Sequence, residues 1–278
     1  MKVSRDSQLT EPVDFGPRVL GATGMLVGRH PELEEFVDKK SRDAVMQVAE
    51  KVRQEFGTNA SLAGVKNRGL PAMLAKAISG DYPGLVKHMG GTSMISKRLA
   101  TEMGMSGKEL DEIEKGALIH DLGKIDPRIR ELVDFEGKLD QDGKDIVAWH
   151  PEMGARIAQL LSLDDPTVEM IRGHHKRFDH GGYVAQSDEE VGIQPSIVAV
   201  ADALDAMVKR RPGREPRSID GIVKAIRDSA GSHFHPDVAQ AFLKDPEAIL
   251  RSTPVLGRMP TGKSGALKHL VMKLQRQS

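Results

Sequence analysis

Residues Gly116–Asp126 read GALIHDLGKID. Just upstream, Leu110, Ile113, Ala117 and Leu118 recur at helical spacing, so an apolar stripe runs directly into the adjacent pair His120–Asp121. An imidazole and a carboxylate at the end of a core helix are costly to bury unless something takes up their lone pairs. A metal ion would do so. Ser106 and Glu109 precede the stripe as S-x-x-E, which predicts a capping box at the start of this helix.

Outward from this stretch the helical period persists. Ile95 and Leu99 continue the face that carries His88. Residues 145–161 form a helical stretch broken at His150-Pro151, and Asp165-Pro166 reads as an N-cap followed by a proline at N1. Pro195 is expected to open a helix with Val198, Ala201, Asp202 and Asp205 on one face. Ser218 is expected to cap the next helix, and 236–243 is one more. Upstream, Val45, Val48, Ala49, Val52 and Phe56 share a helical face, 59–69 reads as a loop, and 70–79 is a short helix ahead of the break Gly80-Asp81-Tyr82-Pro83-Gly84. There is no period-two alternation, hairpin signal or internal repeat. The expected fold class is all-α, a multi-helix bundle with a small helical N-terminal region.

Composition narrows the chemistry. The chain has 278 residues, enough to bury a sizeable core, and with 40 basic against 40 acidic residues it carries no field for bulk nucleic-acid binding. It has no cysteine, which excludes thiolate zinc sites, disulfides and iron–sulfur clusters and leaves His and carboxylates to hold any metal. No secretory h-region and no apolar run of about 18 residues occurs, so a cytoplasmic protein without a membrane segment is expected.

Several residues compete for the role of ligand. Asp202 lies among Val198, Val200, Ala201 and Leu204, where a carboxylate is costly unless paired or metal-bound; alternatively, its face meets solvent. His174-His175 reads either as a ligand pair or as an exposed basic helix end. Neighbouring helical positions point about 100° apart, so the two rings suit two adjacent ions better than one. His150 stands at a helix junction, and Gly154 one turn on lets another element approach closely. A His/Asp set suits Fe, Mn, Zn or Ni, and two ions about 4 Å apart would clamp a phosphate for in-line displacement. Lys124 either contacts a phosphate oxygen or is a solvated lysine in a turn. His30, His233, His235 and His269 are read as ordinary histidines.

In this order, His88, His120-Asp121-Leu122-Gly123-Lys124, His150-Pro151-Glu152-Met153-Gly154, His174-His175, Asp179, Gly182-Tyr183 and Val200–Ala206, the chain resembles the HD superfamily of metal-dependent phosphohydrolases, in particular its HD-GYP branch. The resemblance runs from about Tyr82 to Lys244. It implies a helical catalytic domain over 81–250; the break at 80–84 sets off residues 1–80 as a small helical regulatory or dimerising region, expected to offer a homodimer or protein-partner contact, and 251–278 reads as a basic tail. The resemblance implies metal ligation by His88, His120, Asp121, His150, His174, His175 and Asp202, with Asp121 bridging and Fe or Mn as the metal. It further implies Lys124 at the phosphate, Tyr183 against a base or ribose, Arg211 and Arg214 at the ligand phosphates, and Asp179 in the substrate loop. The substrate implied is cyclic di-GMP, opened to pGpG by a metal-bridging hydroxide.

The chain departs from the family pattern H-H-E-x-x-D-G-x-G-Y-P, reading HHKRFDHGGYV with Lys176, His180 and Val184 in place of Glu, Gly and Pro. Gly84 stands where trinuclear members carry Glu, which points to two ions. Met89, Gly91, the segment Phe135–Leu139 and Gly213 also differ. The expected function is a two-metal cyclic-dinucleotide phosphodiesterase. The alternatives are an HD phosphohydrolase acting on another nucleotide, and a weakly active protein that binds a cyclic dinucleotide and signals.

Overall fold

A computed structural model describes residues 43, 46, 47 and 70–251, except 136, 162, 182–190 and 210–214. The helix face from Val45 to Phe56, the 59–69 loop, Tyr183, Arg211, Arg214 and the tail beyond 251 therefore lie outside the described residues. Within them, regular structure is helical apart from one isolated β-bridge between Ala230 and Phe234. The all-α expectation holds.

The helices are α1 (Leu70–Ile78), α2 (Pro83–Glu102), α3 (Gly107–Leu118), a 3-10 turn (Leu122–Ile125), α4 (Pro127–Val133), α5 (Gln141–Ala148), α6 (His150–Leu160), α7 (Asp165–Gly173), α8 (Ile193–Val208), α9 (Ile219–Ser229), α10 (Pro236–Lys244) and α11 (Pro246–Leu250). Prolines open α2, α4, α10 and α11, where the missing N–H removes no hydrogen bond and the fixed φ suits the first turn. Asp126, Asp140, Ser218 and Asp245 cap the helices that follow them by accepting backbone N–H bonds, each worth about 1 kcal/mol.

Three helix starts differ from expectation. The N-cap of α7 is Asp164, whose carboxylate accepts from the Thr167 N–H at 3.1 Å; Asp165 already belongs to the helix. Helix α8 begins at Ile193, two residues before Pro195, because a proline in the first turn has no intrahelical bond to lose. Ser106 does occupy the N-cap of α3, but its side chain makes no capping bond. Gly107, the first helical residue, has a φ of 56°, outside the regular geometry a capping box requires.

Two apolar clusters fill the interior. The first joins Leu74 and Ile78 of α1 with Leu85 and Met89 of α2, Ile119 and Leu122, Trp149, and the inner faces of α6 and α7. The second joins Ile95 and Leu99 of α2 with Ile113 and Ala117 of α3, Met170 of α7, and the buried faces of α8 to α11. Each fully buried Leu, Ile or Met contributes on the order of 1.5–3 kcal/mol. Helix α2 runs through both clusters, passing from the first to the second between Met89 and Ile95, just beyond His88. No helix among the described residues is long and apolar enough to cross a membrane.

Candidate metal centre

Three of the histidines follow a common rule. His120, His150 and His174 each lie one or two residues beyond a helix C-terminus, that of α3, α5 and α7 respectively. The last turn of a helix leaves carbonyls without an intrahelical donor. Each ring donates its Nδ1–H to the carbonyl three residues back: His120 to Ala117 at 2.8 Å, His150 to Val147 at 2.8 Å and His174 to Ile171 at 2.6 Å. A carbonyl only accepts, so the proton is fixed on Nδ1 and the lone pair on Nε2. All three Nε2 atoms then face Asp121, at 3.5, 3.2 and 3.6 Å from its carboxylate.

Asp121 is the hub. Its Oδ1 lies on the side of His150 and His174, and its Oδ2 on the side of His88 and His120. The ligand atoms form two groups, Asp121 with His150, His174 and His175, and Asp121 with His88 and His120; within each group they lie within 4.8 Å of one another. Asp202 closes the second group, 2.9 Å from His88 Nε2 and 3.9 Å from His120 Nε2. Lys124, on the 3-10 turn, reaches back to Asp121 Oδ2 at 2.7 Å with part of its side chain still exposed. The seven expected ligands and Lys124 are thus brought together.

The placement of His174 and His175 corrects one expectation. Both rings fall in the same group, their centroids 4.2 Å apart, rather than facing two ions. The 100° separation applies inside a helix, and α7 ends at Gly173, so His174 is already its C-cap. The close approach foreseen at Gly154 is present: a Cβ there would stand 3.0 Å from the Gly123 nitrogen, which seats the start of α6 against the 3-10 turn.

Electrostatics fit a cation. Burial pushes His120 and His150 down to about 4, so both stay neutral, and His175 lies well below its ordinary value for the same reason. Burial also works against ionised Asp121 and Asp202, yet Lys124 and His120 beside the first, and His88 beside the second, hold both well below the usual carboxylate range. The result is neutral His120, His150 and His175 around ionised carboxylates, the protonation state a divalent ion needs. Against the effect of burial, Asp202 and Asp205 push His88 up to about 9, so that ring must give up a proton when an ion binds. The buried His120 Nε2 and Asp121 Oδ1 have no hydrogen-bond partner of good geometry. Orphaned acceptors aimed at one centre match metal ligands and not a closed hydrogen-bond network.

The remaining predicted residues lie elsewhere. Asp179 is exposed and gives both oxygens to Arg177, at 2.8 and 2.6 Å, with Gly181 N–H adding a third bond. Asp205 was noted in the sequence only as sharing a face with Asp202. It is fully buried, and its Oδ2 lies 2.5 Å from His88 Nδ1. The i, i+3 spacing of the two carboxylates was the available signal. Gly91 carried none: a Cβ there would come within 2.0 Å of Asp205 Oδ1.

Residues 85–207 match the HD domain family. Among proteins similar to this chain is a cyclic di-GMP phosphodiesterase from Thermotoga maritima, 36% identical over 57% of this chain and 44% of its own length. Another is the cyclic di-GMP phosphodiesterase response regulator RpfG of Xanthomonas campestris, 28% identical over 74% of this chain and 55% of its own. The chain thus spans about half the length of these relatives. A solved structure of an HDG"Y"P protein from Bdellovibrio bacteriovorus matches 75% of this chain and 72% of its own with a TM-score of 0.51 at 17% identity, a likeness of fold.

Proposed function

We propose that this chain, whose residues 85–207 match the HD domain family, is a metal-dependent phosphodiesterase that opens one phosphodiester of a cyclic dinucleotide, with cyclic di-GMP converted to pGpG. The observation that carries the reading is Asp121, whose two oxygens each serve a separate group of imidazoles. Two divalent ions, Fe or Mn, would be held by Asp121 with His150, His174 and His175 and by Asp121 with His88, His120 and Asp202. When bound, such ions lower the pKa of water and act as Lewis acids toward a phosphate. The protein's own residues do the rest. His120, His150 and His174 hold Nε2 lone pairs fixed toward the centre, joined there by His88, His175 and Asp202. Lys124 supplies a cation beside Asp121 for the developing charge on a phosphate or leaving oxygen. Asp179, through its bidentate pair with Arg177, braces the loop leading to Tyr183. Tyr183, Arg211 and Arg214, outside the described residues, are assigned to the base and phosphates; arginine suits bidentate phosphate contacts.

The test is an activity screen of the metal-loaded chain across cyclic di-GMP, other cyclic dinucleotides and linear nucleotides. Formation of pGpG that disappears in His120→Ala/Asp121→Ala supports the reading. Tight binding of cyclic di-GMP without turnover by protein shown to hold metal overturns it in favour of a signalling role. The altered loop favours one second reading, a different cyclic dinucleotide as substrate: His180 replaces the glycine the resemblance expects, and turnover of other dinucleotides only would establish it.

A further inference from the structure

His88 breaks the rule that His120, His150 and His174 follow. It lies inside α2, where the preceding carbonyls are already spent on helical hydrogen bonds, so no orphan carbonyl is within reach of its Nδ1. Something outside the helix must fix its tautomer. The neighbouring α8 presents two carboxylates one turn apart, and they take opposite ring nitrogens. Asp202 Oδ1 is 2.9 Å from Nε2, and Asp205 Oδ2 is 2.5 Å from Nδ1. Only one of these can remain a hydrogen-bond partner when Nε2 turns its lone pair to an ion. That partner is Asp205.

We propose that Asp205 is a positioning residue: it holds His88 with its proton on Nδ1 and Nε2 aimed at the ion shared with His120, Asp121 and Asp202, and it is itself anchored by Lys209. Three further observations support this. Asp205 is completely buried, whereas Asp202 retains some exposure toward the centre. Lys209 Nζ lies 2.6 Å from the same Asp205 oxygen and donates to the Lys87 carbonyl at 3.2 Å, tying α8 to the residue before His88. Gly91, one turn beyond His88 on α2, leaves the space the other Asp205 oxygen occupies. A carboxylate behind a ligating imidazole orients the ring and raises its basicity, and losing such a partner costs roughly 10- to 100-fold in metal affinity.

The inference rests on the two-ion reading and is tested by Mn²⁺ titration calorimetry, independent of turnover. In Asp205→Asn one ion is expected to bind roughly 10- to 100-fold more weakly while the other is unchanged. His88→Ala should weaken the same ion, and adding Asp205→Asn to it should cost nothing further. Unchanged affinity for both ions in Asp205→Asn, equal weakening of both, or an additive loss in the double variant overturns the inference. Should Asp205→Asn fail to fold, Lys209→Met decides: severalfold weakening of that one ion supports the proposal, and wild-type affinity sinks it. A wild-type chain that takes up no ion defeats the two-ion reading and this inference together. Two ions in the wild type with an indifferent Asp205→Asn defeats the inference alone.

Discussion

Gly123 and the His150 carbonyl are packed so closely that a Cβ on Gly123 would stand 2.0 Å from that oxygen. The atom in the way is backbone, which cannot swing aside as a side chain would. Gly123→Ala must therefore push the start of α6 off the 3-10 turn and carry His150 with it. Overpacking of this kind costs about 1–3 kcal/mol. Urea denaturation of the metal-free chain should show that loss, and Mn²⁺ affinity at the His150, His174 and His175 group should fall. A variant with wild-type midpoint and affinity would contradict the contact.

Lys124 neutralises Asp121 without being a ligand. Lys124→Met is expected to leave metal content unchanged while lowering kcat by roughly 10²–10³-fold, the usual scale for removing one charge-stabilising donor. Metal analysis beside steady-state kinetics checks both halves. Loss of metal with the activity would make Lys124 a structural counter-ion only.

The metal-free chain should be most stable near the ordinary histidine pKa. Burial works against charged His88, but its bonds to Asp202 and Asp205 prevail and push it up to about 9. The folded form thus keeps a proton that the unfolded chain has released, and stability present below about pH 6.5 is lost as pH rises through 9. His120 and His150 behave oppositely. Held near 4 by burial, they stay neutral while the unfolded chain protonates, so stability is lost as pH falls from about 6.5 toward 4. Melting in chelator from pH 4 to 10 should trace a maximum between these limbs. A monotonic curve would refute the assignment.

His180 has a φ of 59°, in the left-handed region that favours glycine. His180→Gly should remove a strain of about 1 kcal/mol, offset in part by the freer unfolded chain. A higher urea midpoint with unchanged metal binding is the expected result, and a lower one would show that the His180 side chain contributes more than its backbone costs.

The candidate ligands are legible in the sequence because each is a distinctive residue type in a fixed order: His88, His120-Asp121, His150, His174-His175 and Asp202. The sequence carried helix periods equally well, since Leu110, Ile113 and Ala117 mark a face whatever they pack against. What it did not carry was contact between distant residues. Asp205 shares a face with Asp202 in the sequence, but nothing in the periodicity brings it to His88, and Gly91 is only a departure from the family pattern until the Asp205 oxygen is found in the space it leaves. The expectation that His174 and His175 suit two adjacent ions rests on helical spacing, and the end of α7 at Gly173 is not visible in the periodicity. Helix starts slipped by one or two residues at Asp164 and Ile193, where an acid and a proline sit side by side or the proline lies inside the first turn.

The two apolar clusters threaded by α2 have a consequence for how the molecule opens. Most of the candidate ligands stand on elements of the first cluster, and Asp202 comes from α8, which belongs to the second. The centre therefore adds a tie between two cores that already share α2 and α7. Without ions, amide hydrogen exchange should distinguish two cooperative units, one containing α6 and the other α10. Filling the centre should raise their protection together, because an ion that binds only the closed arrangement stabilises both sides by the same free energy.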